Sequence, residues 1–129
     1  MTVKRGLIRC GLLAALMVGC GTSQRFPAIP DSIEREKVPH DTLEMTAEHF
    51  HFTPDVVRVK QGTLVTIKIK SIDGTHGFNL GEFGIDERID ENETKEIEFY
   101  AGTRGEYSFK CSHFCGIGHL GMNGKIVVE

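Results

Sequence analysis

Hydrophobic and polar residues alternate along several short stretches in the second half of the chain. The clearest stretch runs from Thr63 to Lys70, where Val65, Ile67 and Ile69 alternate with polar residues. Because successive side chains of a β-strand point to opposite faces, this pattern predicts a strand with one buried face. Residues 95–101 alternate in the same way, and the segments 55–60, 107–110 and 125–128 are further strand candidates beside turn residues or the loop at 111–122. Several short strands separated by turn residues indicate an all-β fold, either a β-sandwich or a β-barrel.

Residues 49–52 alternate between histidine and phenylalanine. In a strand, His49 and His51 would lie on one face, and Phe50 and Phe52 would point to the core from the other. Histidines on an exposed strand face are most simply solvated polar residues, and a second metal site is the alternative. The two histidines are therefore interpreted as surface residues without an assigned role.

The first 19 residues have the pattern of a signal peptide. Three basic residues, Lys4, Arg5 and Arg9, precede an apolar run. This run, residues 11–18, is too short to span a bilayer. The sequence Met17-Val18-Gly19-Cys20 resembles a bacterial lipobox, which predicts cleavage before Cys20 and lipidation of its thiol. Ordinary secretory cleavage nearby, with Cys20 left free, is the alternative. Cys10 lies inside the leader and would be removed with it.

Residues 20–41 show no hydrophobic periodicity and contain three prolines, so they are predicted to form a flexible tether. The remaining segment, residues 42–129, is long enough for one hydrophobic core and leaves no room for a second domain. Removing the leader deletes three basic residues and no acidic one, which takes the formal net charge from −3 to −6. This charge argues against nucleic acid or anionic lipid as a partner and fits a basic redox partner.

The segment from Cys111 to Met122 contains the candidate metal ligands of the chain. It contains two thiols, an imidazole and a thioether, and glycines lie between them. Thiolate and thioether are soft ligands that select copper(I), and imidazole also binds copper. Glycines let a short loop turn its side chains inward around an ion. The segment is therefore interpreted as a metal-binding loop, with copper as the metal.

Four kinds of site use parts of this loop. A disulfide between Cys111 and Cys115 leaves His119 and Met122 unexplained. Zinc would take both cysteines, His119 and a further histidine, but a thioether is not among its usual ligands. A mononuclear blue-copper site would use Cys115, His119, an upstream histidine and Met122, which leaves Cys111 as an oxidisable free thiol. Only a binuclear copper site with two bridging thiolates uses every soft donor.

The loop resembles that of the binuclear CuA domains in subunit II of haem-copper oxidases and in nitrous oxide reductase. That family has Cys, a residue that lends its backbone carbonyl, Cys, His and Met at offsets zero, two, four, eight and eleven. The offsets fall here on Cys111, His113, Cys115, His119 and Met122. The family also needs an upstream histidine, which His76 in Thr75-His76-Gly77-Phe78 supplies. The resemblance covers residues 42–129 and is specific.

This resemblance implies two copper ions bridged by the two thiolates. His76 and Met122 would complete one copper, and His119 and the carbonyl of His113 would complete the other. It also implies a cupredoxin fold, a Greek-key β-sandwich or barrel whose loops gather these residues at one end. A dry shell of three aromatic side chains is expected around the site: Phe78, Phe83 and Phe114.

The sequence contains no Ser-His-Asp set, phosphate loop or paired-carboxylate cleft, so we interpret the protein as an electron-transfer module and not as an enzyme. It would act on the periplasmic side of a bacterial membrane, between a cytochrome c-like donor and a terminal oxidase or reductase. Three features differ from an oxidase subunit: a lipid in place of a two-helix anchor, no tryptophan, and His113 where an acid is frequent. Delivery of copper to an oxidase CuA site and a free-standing oxidase-associated subunit are the alternatives.

Overall fold

A computed structural model describes residues 27–129 of the chain. The predicted signal peptide and the predicted lipidation site at Cys20 lie outside the described residues. In the described part, nine strands are connected by turns and by 3-10 helices at Arg35–Lys37, Gly81–Phe83 and His119–Gly121. The strands are β1 (His40–Glu48), β2 (His51–Thr53), β3 (Val56–Val59), β4 (Leu64–Ser71), β5 (His76–Leu80), β6 (Ile85–Ile89), β7 (Thr94–Tyr100), β8 (Gly105–Lys110) and β9 (Asn123–Val128).

The strands form two sheets. The first has the order β2-β1-β4-β7 and the second has the order β3-β9-β8-β5-β6. Both sheets are mixed, because β1 pairs with β4 in parallel and β3 pairs with β9 in parallel, while the other pairings are antiparallel. The predicted all-β sandwich of the cupredoxin type is confirmed.

The core lies between the two sheets and contains a cluster of three buried phenylalanines. Phe52 comes from the first sheet, and Phe78 and Phe109 come from neighbouring strands of the second. Their ring centroids lie 5.1–5.9 Å apart. Aromatic pairs at such distances stabilise a fold by about 0.5–1.5 kcal/mol each beyond the burial of their area. The cluster therefore joins the first sheet to β5 and β8, two neighbouring strands of the second sheet.

All five strands predicted from the sequence are present, as β3, β4, β7, β8 and β9. The sequence did not predict β5, because four of its five residues are buried and its pattern therefore does not alternate. In β1 only Met45 and Ala47 are fully buried, and the first half of the strand is largely exposed, so its periodicity is also weak. An alternating pattern reveals strands that have one buried face and one solvent-exposed face, and β1 and β5 lack that contrast.

The expected single strand through residues 49–52 is wrong. β1 ends at Glu48 and β2 begins at His51, and these two residues pair across an antiparallel hairpin whose turn is His49-Phe50. Phe52 is buried as predicted, but Phe50 is 36% exposed. The two histidines consequently have different surroundings: His51 is exposed near Glu48, and His49 faces Asp73.

The described part of the expected tether is not free of the domain. The Tyr100 amide donates a hydrogen bond of 2.7 Å to the Ala28 carbonyl, and Arg35 forms an ion pair of 2.6 Å with Glu98. The first strand also begins at His40, two residues before the predicted boundary. Ala28 and Arg35 therefore contact β7, and the described part of the predicted tether is attached to the domain. Among the described residues, no helix is long and apolar enough to cross a membrane.

Candidate metal centre

His76 is the first residue of β5, and its side chain is fully buried. Its Nε2 lies 2.7 Å from the carbonyl oxygen of Asp73 and 3.0 Å from the Oδ1 of the same residue. A carbonyl oxygen only accepts hydrogen bonds, so Nε2 carries the proton and Nδ1 keeps its lone pair. Within residues 27–129, Nδ1 has no hydrogen-bond partner. A buried unpaired nitrogen costs about 1–3 kcal/mol, so this lone pair is suited to a metal ion.

The two cysteines are free thiols that lie side by side. Cys111 directly follows β8 and is 4% exposed, and its Sγ lies 3.6 Å from the Sγ of the partly buried Cys115. The Cys111 Sγ also lies 3.1 Å from the His113 carbonyl oxygen, to which it donates. The amide of Gly77 donates to the same sulfur over 3.4 Å. Cys111 is thus held by contacts from both its own loop and β5.

His119 and Met122 approach Cys115 from the end of the loop. His119 Nδ1 lies 3.7 Å and Met122 Sδ lies 3.8 Å from the Cys115 Sγ. Met122 is 1% exposed, and its carbonyl accepts a hydrogen bond of 2.9 Å from the Cys111 amide, which closes the loop. The donor atoms of His76, Cys111 and Cys115 lie within 4.8 Å of one another. The structure therefore brings together all six residues predicted for the site, His76, Cys111, His113, Cys115, His119 and Met122.

Glycines permit close approach at two places in this arrangement. A Cβ at Gly77 would collide with the backbone of Ser112 and His113, so only glycine lets β5 pass so close to the loop. Gly116, with φ +135°, and Gly118 both lie against the ring of Phe50, where a Cβ would also collide. Gly121 has open space around it. The sequence correctly indicated glycines that shape the loop, but it did not reveal Phe50 as the surface on which the loop rests.

Burial, followed by the hydrogen bond and the charge of Cys111, raises the pKa of the Cys115 thiol from 9.0 to about 11. Two neighbouring thiolates repel each other, and a low-dielectric environment disfavours each charge. A bound cation removes both penalties, so metal binding would displace thiol protons. Soft sulfur donors with imidazole nitrogens fit copper, and the unpaired Nδ1 of His76 fits the same ion.

Asp73 is a site residue that the sequence analysis missed. Partial burial raises the pKa of its carboxyl, but hydrogen bonds from His76 and His49 outweigh this effect and hold the pKa below 3.8. The carboxylate therefore stays charged and accepts the Nε2 proton of His76. Its position three residues before His76 was a usable signal, because a histidine ligand commonly donates its second nitrogen to a carboxylate.

The expected aromatic shell is only partly correct. Phe78 is buried in the core cluster and directly follows Gly77. Phe83 instead packs with Phe99 and Tyr107, with ring centroids 5.0 Å apart in each pair. Phe114 is 75% exposed and lies 5.7 Å from the ring of His119. Of the three, Phe114 therefore flanks a site residue without covering it.

Comparisons with known proteins agree with this geometry. A sequence profile of the cupredoxin-like domain matches residues 11–128. Over 88 residues the chain is 33% identical to cytochrome c oxidase subunit 2 of Thermus thermophilus, covering 68% of this chain and 65% of that protein. Over 92 residues it is 28% identical to nitrous-oxide reductase of Cupriavidus necator, covering 68% of this chain and 14% of the reductase.

Among solved structures, a haem-copper terminal oxidase dimer contains a chain that superposes with a TM-score of 0.67 at 24% identity. The match covers 75% of this chain and 69% of that chain. The relatives belong to both groups of proteins that the loop resembles, so the predicted resemblance is confirmed. The chain nevertheless spans less than two thirds of the length of the curated relatives, 65% of the subunit and 14% of the reductase.

A Gly77→Ala substitution tests the close approach between β5 and the loop. The added methyl group must push the backbone at Ser112 and His113 away, which displaces the adjacent Cys111 and the His113 carbonyl. We expect copper affinity to fall about 10-fold or more, as for other changes beside metal ligands, measured by competition with a copper(I) chelator. Gly121→Ala adds a methyl group to the same loop in open space and should leave the affinity unchanged. Equal affinities for the two variants would contradict this account.

Proposed function

Since this chain belongs to the cupredoxin-like family, we propose that it is an electron-transfer protein with a binuclear copper centre. In this proposal, it is exported, anchored to the periplasmic side of a membrane through a lipid on Cys20, and transfers electrons from a cytochrome c-like donor to a terminal oxidase or reductase. The observation that carries the proposal is the 3.6 Å separation of two free, largely buried thiols surrounded by imidazole and thioether donors.

The distances support a site that uses both thiols. Cys111 has the His113 carbonyl at 3.1 Å, while Cys115 has His119 at 3.7 Å and Met122 at 3.8 Å. A mononuclear site centred on Cys115 would leave Cys111 as a buried thiol in contact with the metal's ligands. A disulfide would leave the lone pair of His76 buried and unused. The resemblance to CuA domains assigns His76 and Met122 to one copper, and His119 and the His113 carbonyl to the other.

Cys111, Cys115, His76, His119 and Met122 would hold the copper, which would supply one-electron redox chemistry when bound. The protein's own contribution is to hold the ligands in a fixed geometry. His76, Cys111 and Met122 are each no more than 4% exposed and come from β5 or from the two ends of the loop between β8 and β9. Ligands that are fixed by a sheet keep their positions when the charge of the site changes, and this favours rapid transfer.

The surface beside the site fits contact with a protein partner. Phe114, Ile117 and Leu120 belong to the metal loop and are 75%, 101% and 92% exposed. Large apolar side chains concentrated on one exposed loop are unusual on a monomer and mark contact surfaces. We therefore place the redox partner over this loop, next to His119.

The copper content of the domain tests the binuclear assignment. The domain from residue 27 onward should bind about two copper ions per chain, be purple, and give a multiline mixed-valence EPR signal. Cys111→Ser should abolish this signal, because a hydroxyl group does not bridge two copper ions as a thiolate does. Ser108→Ala, an exposed change on the neighbouring strand, is the control. One copper per chain with an intense blue absorption would favour the mononuclear site instead.

Copper exchange distinguishes an electron carrier from a copper chaperone, which would deliver its copper to an oxidase CuA site. Because the ligands are mostly buried, we expect the reduced, copper-loaded protein to keep its copper against a copper(I) chelator over many redox cycles. It should also exchange electrons rapidly with a cytochrome c. Copper loss to a metal-free oxidase CuA domain within minutes, together with slow electron exchange, would identify a copper chaperone.

Membrane attachment tests the proposed lipid on Cys20. In a bacterium that processes lipoproteins, Cys20→Ser should move the mature protein from the membrane fraction to the soluble fraction. Cys10→Ser is the matched control, because Cys10 lies within the leader and its change should leave the protein in the membrane fraction. Membrane retention of the Cys20→Ser protein would show that something other than this lipid attaches it.

A further inference from the structure

We propose that His49 is a positioning residue for the metal ligand His76, acting through the carboxylate of Asp73. The proposal rests on the proposed function only in taking His76 as a ligand. His49 belongs to the β1–β2 turn, distant in sequence from both other residues. Its position beside the site was not expected from the sequence, which placed it on a solvated strand face.

Asp73 is held by His49 on one side and holds His76 on the other. The backbone amide of His49 donates to both carboxylate oxygens, over 3.0 and 3.1 Å, and its Nδ1 lies 2.6 Å from Oδ2. The other oxygen, Oδ1, accepts from His76 Nε2 over 3.0 Å. The carboxylate thus has a donor from His49 on one oxygen and the proton of His76 on the other.

The rings of the two histidines also touch. Their centroids lie 5.4 Å apart with an interplanar angle of 67°, and the His49 ring packs edge-on against Phe50 at 4.9 Å. Phe50 in turn supports the metal loop at Gly116 and Gly118. His49 is therefore fixed between the loop's support and the ligand, although 39% of its side chain is exposed.

The three side chains also have the composition of a metal site, since His49, Asp73 and His76 bring donor atoms within 4.8 Å of one another. The hydrogen bonding argues against that use. His76 Nε2 lies 2.7 Å from a carbonyl oxygen, so it carries a proton and has no lone pair to offer. The cluster is satisfied as a hydrogen-bonded chain, and this chain directs the free lone pair of His76 Nδ1 inward.

Loss of the His49 side chain would remove the contact between Nδ1 and Oδ2 and leave only the backbone amide of residue 49 to hold the carboxylate on that side. The Asp73 side chain is 35% exposed, so without the ring it turns more readily towards water. In that orientation His76 keeps only the Asp73 carbonyl as a partner for Nε2. The alternative tautomer and other ring orientations become more accessible, and both withdraw the Nδ1 lone pair from the metal position. His49 therefore acts on the ligand without being one.

The first measurement uses metal-free protein, where copper stoichiometry plays no part. In the wild-type protein, nitrogen-15 NMR of the histidine rings should show His76 as the Nε2–H tautomer. In His49→Ala, a mixture of tautomers is expected. His49→Asn can place an amide N–H near the position of Nδ1 and should restore the wild-type tautomer. His51→Ala is the matched control, because the side chain of this histidine is 57% exposed and lies 3.8 Å from Glu48.

The second measurement is copper(I) affinity by chelator competition. Removing a residue that supports a ligand typically costs 10–100-fold, which we expect for Asp73→Ala, and about 3–10-fold for His49→Ala, one contact further away. Adding His49→Ala to Asp73→Ala should cost nothing more, because His49 acts through Asp73. His51→Ala should match the wild type, and His49→Asn should recover most of the loss.

Three results would overturn the proposal. One is an unchanged His76 tautomer and an unchanged affinity in a folded His49→Ala protein. Another is full additivity of the His49 and Asp73 substitutions. The third is a further equivalent of zinc or copper that binds to wild-type protein and is lost in His49→Ala, which would identify a metal site in place of a positioning contact. A wild-type protein that binds a single copper would refute the proposed binuclear function and leave the tautomer result standing.

Discussion

The structure depends on keeping two thiols 3.6 Å apart in a largely buried position. Thiols in contact lose solvation, and their ionised forms repel each other, so a flexible loop would separate them. The pairing of β8 with β9 prevents this, because it joins Lys110 to Asn123 at the two ends of the loop. The hydrogen bond from the Cys111 amide to the Met122 carbonyl continues that ladder by one residue. The loop is therefore closed by the sheet and not by the metal.

The two sheets have separate tasks at the site. The second sheet supplies every proposed ligand, because β5 carries His76 and the β8–β9 connection carries the others. The first sheet supplies the surroundings: the β1–β2 turn places His49 and Phe50 against Asp73 and the loop. The packing of Phe52 against Phe78 and Phe109 fixes one sheet relative to the other. A change in sheet packing would consequently alter how His76 is held, even without touching a ligand.

Much of this could be predicted from the sequence, but only where a residue's role is visible in its near neighbours. The proposed ligands of the loop follow a fixed spacing, and strands such as β4 alternate between buried and exposed residues, so both were predicted from the sequence. The buried strand β5 was not, because its pattern does not alternate, and the His49-Phe50 turn was not, because residues 49–52 alternate as a continuous strand would. The contact of His49 with Asp73 joins residues 24 positions apart, and such pairs depend on the fold. Phe83 was misplaced for the same reason, since aromatic character does not specify which cluster a ring joins.

The metal-free site contains features that are unfavourable by themselves. The Nδ1 of His76 is buried without a partner among the described residues, and burial raises the pKa of Cys115 to about 11. The hydrophobic core on the far side of the ligands offsets these costs, so the donors are already assembled before an ion arrives. Metal binding then satisfies the lone pair and replaces the thiol protons without having to fold the loop. A site organised in advance by its scaffold has the same geometry in either redox state, which is the property that an electron carrier requires.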